Sequence, residues 1–447
     1  MTEQKMSRRE VLGGAAAAAA FTIVPRHVLG GAGYVPPSER LNIAGIGVGG
    51  RGADDLKELE DQNIVALCDV DWHRAAETFS RYPGARRYRD FREMLDREGK
   101  AIDAVMVATP DHTHAVACMA AIRQGKHVYC EKPLTHSVYE ARALAQAARE
   151  RGVATQMGNQ GQASPETRLI CETIWDGAIG QVHEVHVWTD RPMQGIHGVY
   201  WPQGVDRPRE TPGVPDTLSW DLWLGPAPAR PYHPAYAPFV WRGWWDFGTG
   251  ALGDIGCHEL DPVFRALRLG HPTSVEACCT RVNDETYPVA SRVTYEFPAR
   301  EGMDPVQVHW YDGGMKPPRP RELDEGLQWG TGGTLYVGDK GKMLGHRLIP
   351  ESRAKAYGKP PQRLERSPGH HAEWIAACKG GKAAGSNFDH AGLLAQVVLL
   401  GNVALRPALK ERLVRARLLW DGPNMAVTNL PEANAYLRRA YREGWTL

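Results

Sequence analysis

The sequence predicts an α/β chain of two domains: an N-terminal doubly wound parallel sheet, then a C-terminal α+β domain with a large open, mostly antiparallel sheet. Three observations carry this expectation. At 447 residues the chain is longer than one hydrophobic core usually serves. From residue 41 to about 156 short apolar runs alternate with helical stretches, the pattern of βαβ units. In the second half the apolar runs lengthen and alternate with period two, as in an antiparallel sheet with one solvated face.

Ahead of both domains stands Ser7-Arg8-Arg9-Glu10-Val11-Leu12, a twin-arginine pattern. The apolar run 11–24 that follows is shorter than the roughly 20 residues of a membrane-spanning helix. Residues 1–32 are therefore expected to be a signal read by the twin-arginine export machinery, which carries folded cargo, with Ala32 at the edge of the mature chain. A periplasmic or otherwise exported location follows. The eight cysteines form no C-x-x-C pair and no regular framework, which suits folding in a reducing compartment before export. Lys plus Arg number 53 against 52 Asp plus Glu, leaving no field of one sign to grip nucleic acid or an anionic membrane. A small neutral or polar ligand fits better.

In the first domain, 38–160, strands are expected at 41–46, 64–69, 104–108, 127–130 and 154–157. In the second, 161–447, they are expected at 182–189, 274–282, 291–297, 306–311 and 334–337. The segment 191–250 is rich in Pro, Gly and Trp, too aromatic for a disordered linker, and is expected to be an ordered insertion walling a site. Helices are expected at 387–406 and 431–442, packing back on the first domain.

The first strand runs into Gly45-Ile46-Gly47-Val48-Gly49-Gly50-Arg51-Gly52. Two G-x-G-x-x-G readings overlap, Gly45/Gly47/Gly50 and Gly47/Gly49/Gly52, and the second is preferred because the apolar strand ends at Ile46. Gly47 then makes the tight turn, Gly49 admits a pyrophosphate, and Gly52 lets the next helix pack closely. With 48 glycines in the chain the pattern alone is weak. The strand before it, the helix after it, and Asp69 at the end of the following strand turn it into a dinucleotide loop of Rossmann type. An acid at that strand end accepts the ribose hydroxyls, so NAD is favoured. NADP is left possible by Arg51 and Arg74. Further candidate cofactor contacts are the loop residues Val48 and Gly50, Thr109 and Pro110 after one strand, and Glu131 and Lys132 after another. His114 is a candidate as well, with a bond to backbone as its structural alternative. The histidines pair as His112/His114 and His183/His186, but the second pair lies on an expected strand, where i and i+3 face opposite ways, and no metal is expected.

Glu131-Lys132-Pro133 and Ala108-Thr109-Pro110-Asp111-His112-Thr113-His114 both follow parallel strands, where open α/β sheets bind ligands. With the Gly47 loop and Asp254-Ile255-Gly256-Cys257-His258, the chain resembles the Gfo/Idh/MocA oxidoreductases over nearly its whole length after the leader. It is most similar to the exported branch carrying Trp244-Trp245-Asp246-Phe247-Gly248. The resemblance implies that Lys132 contacts the reacting hydroxyl near the nicotinamide, Asp254 holds a sugar and His258 is the general base. Asp254 and His258, four apart, share one helix face. Asp111 stands where the family frequently has asparagine, which leaves its role open. Asn159 and Gln160 are candidates for substrate hydroxyls, and Trp241, Trp244 and Trp245 for stacking on sugar faces, with core packing as their alternative.

The leading expectation is an NAD(P)-dependent oxidoreductase acting on a secondary hydroxyl of a sugar, glycoside or polyol. Because no replenished pool of free NAD exists outside the inner membrane, the cofactor is expected to travel bound and to be recycled on the protein. Redox-neutral glycoside cleavage or epimerisation through a transient keto-sugar, and a non-catalytic carbohydrate-binding protein, are the alternatives. Homodimers or homotetramers are expected from the resemblance.

Overall fold

The computed structural model describes residues 39–194, 198–409 and 417–447; the expected leader, 1–32, lies outside them. The first domain is a parallel sheet of β1 (Asn42–Ile46), β2 (Asn63–Cys68), β3 (Arg86–Tyr88), β4 (Ala104–Val107), β5 (His127–Cys130) and β6 (Thr155–Met157), in the order β3-β2-β1-β4-β5-β6. Its crossovers carry α1 (Arg51–Lys57), α2 (Ala76–Arg81), α3 (Phe91–Glu98), α4 (Asp111–Arg123) and α5 (Val138–Arg151). Every residue of β4 is fully buried, as a central strand covered on both faces must be. Strand order reverses between β1 and β4, so the loops after these strands part and leave a crevice.

Local chemistry sets the helix ends. Ser137 and Glu140 close a capping box at the start of α5, and Gly152, with φ of 64°, ends it in the left-handed region. Gly52 opens α1 where a Cβ would run into the Gly47 carbonyl oxygen, so helix and strand approach as closely as only glycine permits.

The second domain contains α6 (Pro165–Trp175), β7 (Val182–Trp188), α7 (Trp220–Leu224), α8 (Gly250–Ala266), β8 (Ser274–Cys279), β9 (Ser291–Phe297), β10 (Val306–Tyr311), β11 (Gly333–Gly338), β12 (Gly341–Leu344), β13 (Arg347–Ile349), α9 (Glu351–Tyr357), α10 (His370–Cys378), α11 (Phe388–Ala404), β14 (Leu418–Asp421) and β15 (Ala426–Val427). Its sheet runs β13-β12-β11-β7-β10-β9-β8-β14-β15 and is antiparallel apart from the parallel β7/β10 pair. The inward side chains of β7, β9 and β10, among them Val185, Val187, Val293, Tyr295 and Trp310, share one core with α8 and α11. Helix α11 is apolar all round, as a buried helix should be. It packs against α5 on one side and α8 and β8 on the other, which makes the core continuous across both domains.

Within the described residues of 191–250, Trp223, Tyr236, Trp241, Trp244 and Phe247 are buried together in an aromatic cluster. Arg230 is buried within it, paired with Asp246 and lying over the Phe247 ring.

Three expectations are corrected. The parallel sheet has six strands rather than five; β3 is a short edge strand whose Arg86 and Arg87 are exposed, so no apolar run marks it. The antiparallel sheet gains β12, β13, β14 and β15, which are too short to show a period. Residues 431–442 form no α-helix: a 3-10 turn spans Pro431–Tyr436. There Asn434 spends its amide on the Val427 N–H and carbonyl, diverting the local bonding that a helix needs. Among the described residues no helix is long and apolar enough to cross a membrane.

Gly52→Ala should cost about 1–3 kcal/mol in urea unfolding, as overpacking does. Gly84→Ala, exposed with nothing near its Cβ position, should be neutral. Equal midpoints for the two variants would show that the α1–β1 approach is not tight.

Candidate active site

The crevice at the carboxyl ends of the parallel strands is a cavity of about 540 Å³. Gly47, Gly49, Gly50, Asp69 and Arg74 line one end; Thr109, Pro110, Glu131, Lys132, Gln160 and His258 line the other. Leu218, Phe239, Trp241 and Arg242 from the insertion close its side.

At the glycine end, Gly47 and Gly50 take φ values of 77° and 56°, a turn that β-carbons resist. Asp69 Oδ2 accepts the Val48 and Gly49 amides at 2.8 and 3.1 Å, and Oδ1 accepts the Asp71 amide. This links the end of β2 to the loop and holds the carboxylate at the cavity wall. Helix α1 begins at the loop without a side-chain cap, leaving first-turn amides open to an anion. The Arg74 side chain lies over Gly49 and Gly50, against the positions their β-carbons would take. These residues fit a dinucleotide: a cradle without side chains, a cation over it for phosphate, and an acid for ribose. Arg51 also lines the cavity, half-exposed, with its guanidinium engaged by Asp55 at 2.7 Å and Glu131 at 3.1 Å.

At the other end, Lys132 Nζ donates to Asp254 Oδ1 and to the Asp254 carbonyl, each at 2.9 Å. Arg242 Nε donates to the same Oδ1 at 3.0 Å, with its guanidinium stacked 4.3 Å from the Trp241 ring centroid. Burial works to raise the Asp254 pKa, but Lys132 and Arg242 outweigh it and hold the carboxyl well below its usual range. Asp254 is buried next to Lys132 and Arg242, the two partners that line the cavity, and its Oδ2 has no hydrogen-bond partner among the described residues. One turn on along α8, His258 lines the cavity with no side-chain hydrogen bond among the described residues. Burial, and next the Lys132 charge, push it down to about 3, so it stands as a neutral base at neutral pH.

Asp111 begins α4 behind this group and accepts a hydrogen bond from Thr249 Oγ1 at 2.6 Å. Burial pushes it up to about 7, against that hydrogen bond and assisted by the charge of Asp254. Glu131 accepts from Arg51, from Gln160 Nε2 at 2.7 Å and from the Lys132 amide. It anchors the backbone on which Lys132 sits.

Several candidates do not reach the cavity. His114 is buried between the Thr109 and Pro133 carbonyls, at 2.7 and 2.8 Å, where it ties two loop backbones together and does not line the cavity. Trp244 and Trp245 are core residues, since each indole N–H had to find a buried acceptor: Trp244 donates to the Ala235 carbonyl and Trp245 to that of Asn283. Trp245 is further packed between Tyr287 and Arg406. Asn159 is buried behind the wall, near the Cys257 carbonyl. Val48 and Gly52 serve the loop through backbone and packing, and their side-chain positions face inward. Sequence reasoning passed over Arg242; its only signal was a cation set between tryptophans in the insertion.

The histidines carry a pH dependence. The unfolded chain protonates His258 near its ordinary 6.5, whereas the folded chain resists down to about 3, so stability is lost as pH falls through that window. Between pH 7 and pH 5 the loss due to this one group is up to about 2 kcal/mol. His258→Gln should therefore show a smaller drop in urea midpoint between these pH values than the parent protein. An equal drop would mean that the imidazole is solvated in the folded state.

Comparison with known proteins identifies the family. Residues 41–159 match the description "Oxidoreductase family, NAD-binding Rossmann fold" and residues 186–306 match its "C-terminal alpha/beta domain". The inositol 2-dehydrogenase of Rubrobacter xylanophilus is 31% identical over 148 residues, covering 32% of this chain and 42% of that protein. The levoglucosan dehydrogenase of Pseudarthrobacter phenanthrenivorans is 27% identical over 187 residues, covering 42% of this chain and 38% of the relative. The chain thus spans less than half the length of these curated relatives. A dehydrogenase from Bordetella pertussis, crystallised with NADH and UDP-GlcNAcA, superposes with a TM-score of 0.57 at 16% identity, over 86% of this chain and 99% of that one; at that identity the likeness is one of fold. The two matched regions are the two halves that meet at the Lys132–Asp254 pair, and the chain belongs to the Gfo/Idh/MocA oxidoreductase family, with an NAD-binding Rossmann domain and a C-terminal α/β domain.

Proposed function

We propose that this protein oxidises a secondary hydroxyl of a sugar, glycoside or polyol, with NAD as hydride acceptor. The observation that carries the reading is that Lys132 and His258 line the cavity that the glycine loop opens, with Asp254 buried behind Lys132 and bonded to its ammonium. NAD, when bound, supplies the acceptor for the hydride leaving the carbon. The chain supplies the rest. Asp254 Oδ2 receives a substrate hydroxyl and fixes the ring. Neutral His258 takes the proton of the reacting hydroxyl. The Lys132 ammonium stabilises the negative charge that develops on that oxygen, in a water-poor site where such a charge is worth most. Arg242 keeps Asp254 ionised when Lys132 turns toward substrate. Trp241, stacked under Arg242, offers an apolar ring edge to the cavity.

The reading includes export in folded form with NAD enclosed and recycled by alternate carbohydrate substrates. The residues 7–12 support it, as do the eight cysteines, all of them free thiols. It further includes a homodimer or homotetramer, which the family resemblance supports.

The protein purified from the exported fraction without added nucleotide, then denatured, should release close to one NAD per chain, and Asp69→Ala should release far less. An empty protein that also fails to bind NAD would remove the captive-cofactor reading. Lys132→Ala should retain NAD yet slow sugar-dependent reduction of it by about 10²–10³-fold, and His258→Asn by about 10²–10⁴-fold. Full-rate reduction in Lys132→Ala would overturn the assignment, and a product isomeric with the substrate would redirect it to redox-neutral chemistry.

A further inference from the structure

A second group of ligand-type side chains lies on the far face of the nine-stranded sheet. Val185 and Val187 of β7 point into the core, so alternation turns Glu184 and His186 outward. Parallel pairing with β10 sets His309 beside His186. The two imidazole rings stack with centroids 5.1 Å apart. Their Nε2 atoms converge on one oxygen, Glu184 Oε1, at 3.3 Å from His186 and 3.1 Å from His309, and one ligand atom from each residue lies within 4.8 Å of the others.

These spacings match a tetrahedral metal site. Two donors bound at about 2.0–2.1 Å with a tetrahedral angle between them are roughly 3.4 Å apart. The other ring nitrogens are engaged as the outer layer of such a site requires: His186 Nδ1 bonds the Tyr311 hydroxyl at 3.1 Å and His309 Nδ1 the Thr294 hydroxyl at 3.0 Å. A hydroxyl oxygen accepting from Nδ1–H fixes the ring and leaves the Nε2 lone pair free for a cation. Access is from one side, since the Glu184 side chain is 35% exposed and that of His309 only 5%.

We propose that Glu184, His186 and His309 form a site for a zinc-class divalent cation, with solvent as the fourth ligand. Two imidazoles and one carboxylate favour zinc over calcium or magnesium, which prefer all-oxygen shells. Arg292 and Lys342 are the cations whose charges oppose one here. Arg292 lies over the Tyr311 ring and Lys342 is paired with Glu322 at 2.9 Å, so both are already drawn to other partners. The ion clamps β7 to β10 across the parallel seam of the sheet. It stands apart from the hydride-transfer site, which lies on the α8 side.

The test uses the full-length protein with its bound cofactor, stripped with a chelator, reloaded with zinc or cobalt(II) and desalted. The expected result is one additional metal per chain relative to His186→Ala and Glu184→Gln, visible d–d bands from four-coordinate cobalt(II), and a zinc-dependent rise in melting temperature in the parent only. Nucleotide content should be equal in parent and variants, which separates this site from the catalytic reading. Glu184→Gln changes the most exposed of the three residues and serves if His186→Ala fails to accumulate. No retained metal, or equal retention in parent and Glu184→Gln, overturns the proposal and leaves two imidazole N–H groups sharing one carboxylate oxygen.

Discussion

The buried ion group of Lys132, Asp254 and Arg242 is the constraint around which the rest is arranged. It joins the end of β5, the first turns of α8 and the insertion, three segments widely separated in the chain. Taking charges out of water is expensive, and a pair like this one repays the cost only with good geometry and with every partner present. The two domains and the insertion therefore have to close on each other in one arrangement. The same closure builds the cavity, sets His258 beside the Lys132 ammonium and shields both from water.

Around that group the molecule spends polar bonds on holding loops. Asp69 ties the end of β2 to the glycine turn. His114 bridges the loops after β4 and β5. His112, buried in α4, faces the Trp223 and Phe247 carbonyls and pins the insertion to the first domain. Each is a buried polar group held by backbone partners, and each imidazole donates its one N–H to a carbonyl. What reaches the cavity is what these ties leave free: the Lys132 side chain, the His258 imidazole and the start of α1 after the glycine turn.

The βαβ half was legible because its central strands are buried on both faces and so read as short apolar runs, of which β4 is the plainest. Edge elements were not. Strand β3 carries two exposed arginines, and the 3-10 turn at Pro431 depends on Asn434 reaching back to β15. Among site residues, Asp254 and His258 were legible through the family resemblance, since the same i, i+4 spacing recurs at Asp69 and His73, and the glycine loop by its place between strand and helix. Trp244 and Trp245 were ambiguous for a physical reason: an indole that stacks on a sugar and one that fills a core have the same composition around them, and only the acceptor found by each N–H separates the cases.

The sequence by itself determined the periodicities, the turn-forming glycines and the spacing along each helix, because these depend on neighbours within a few residues. The tertiary structure alone decided which distant charges meet. Arg242 was an unremarked cation in a loop until folding set it on Asp254. His186 stood next to the wrong histidine in the chain, and its partner came from β10, more than a hundred residues on. Contacts between strands are chosen by register and pairing across the whole sheet, and no local pattern encodes them.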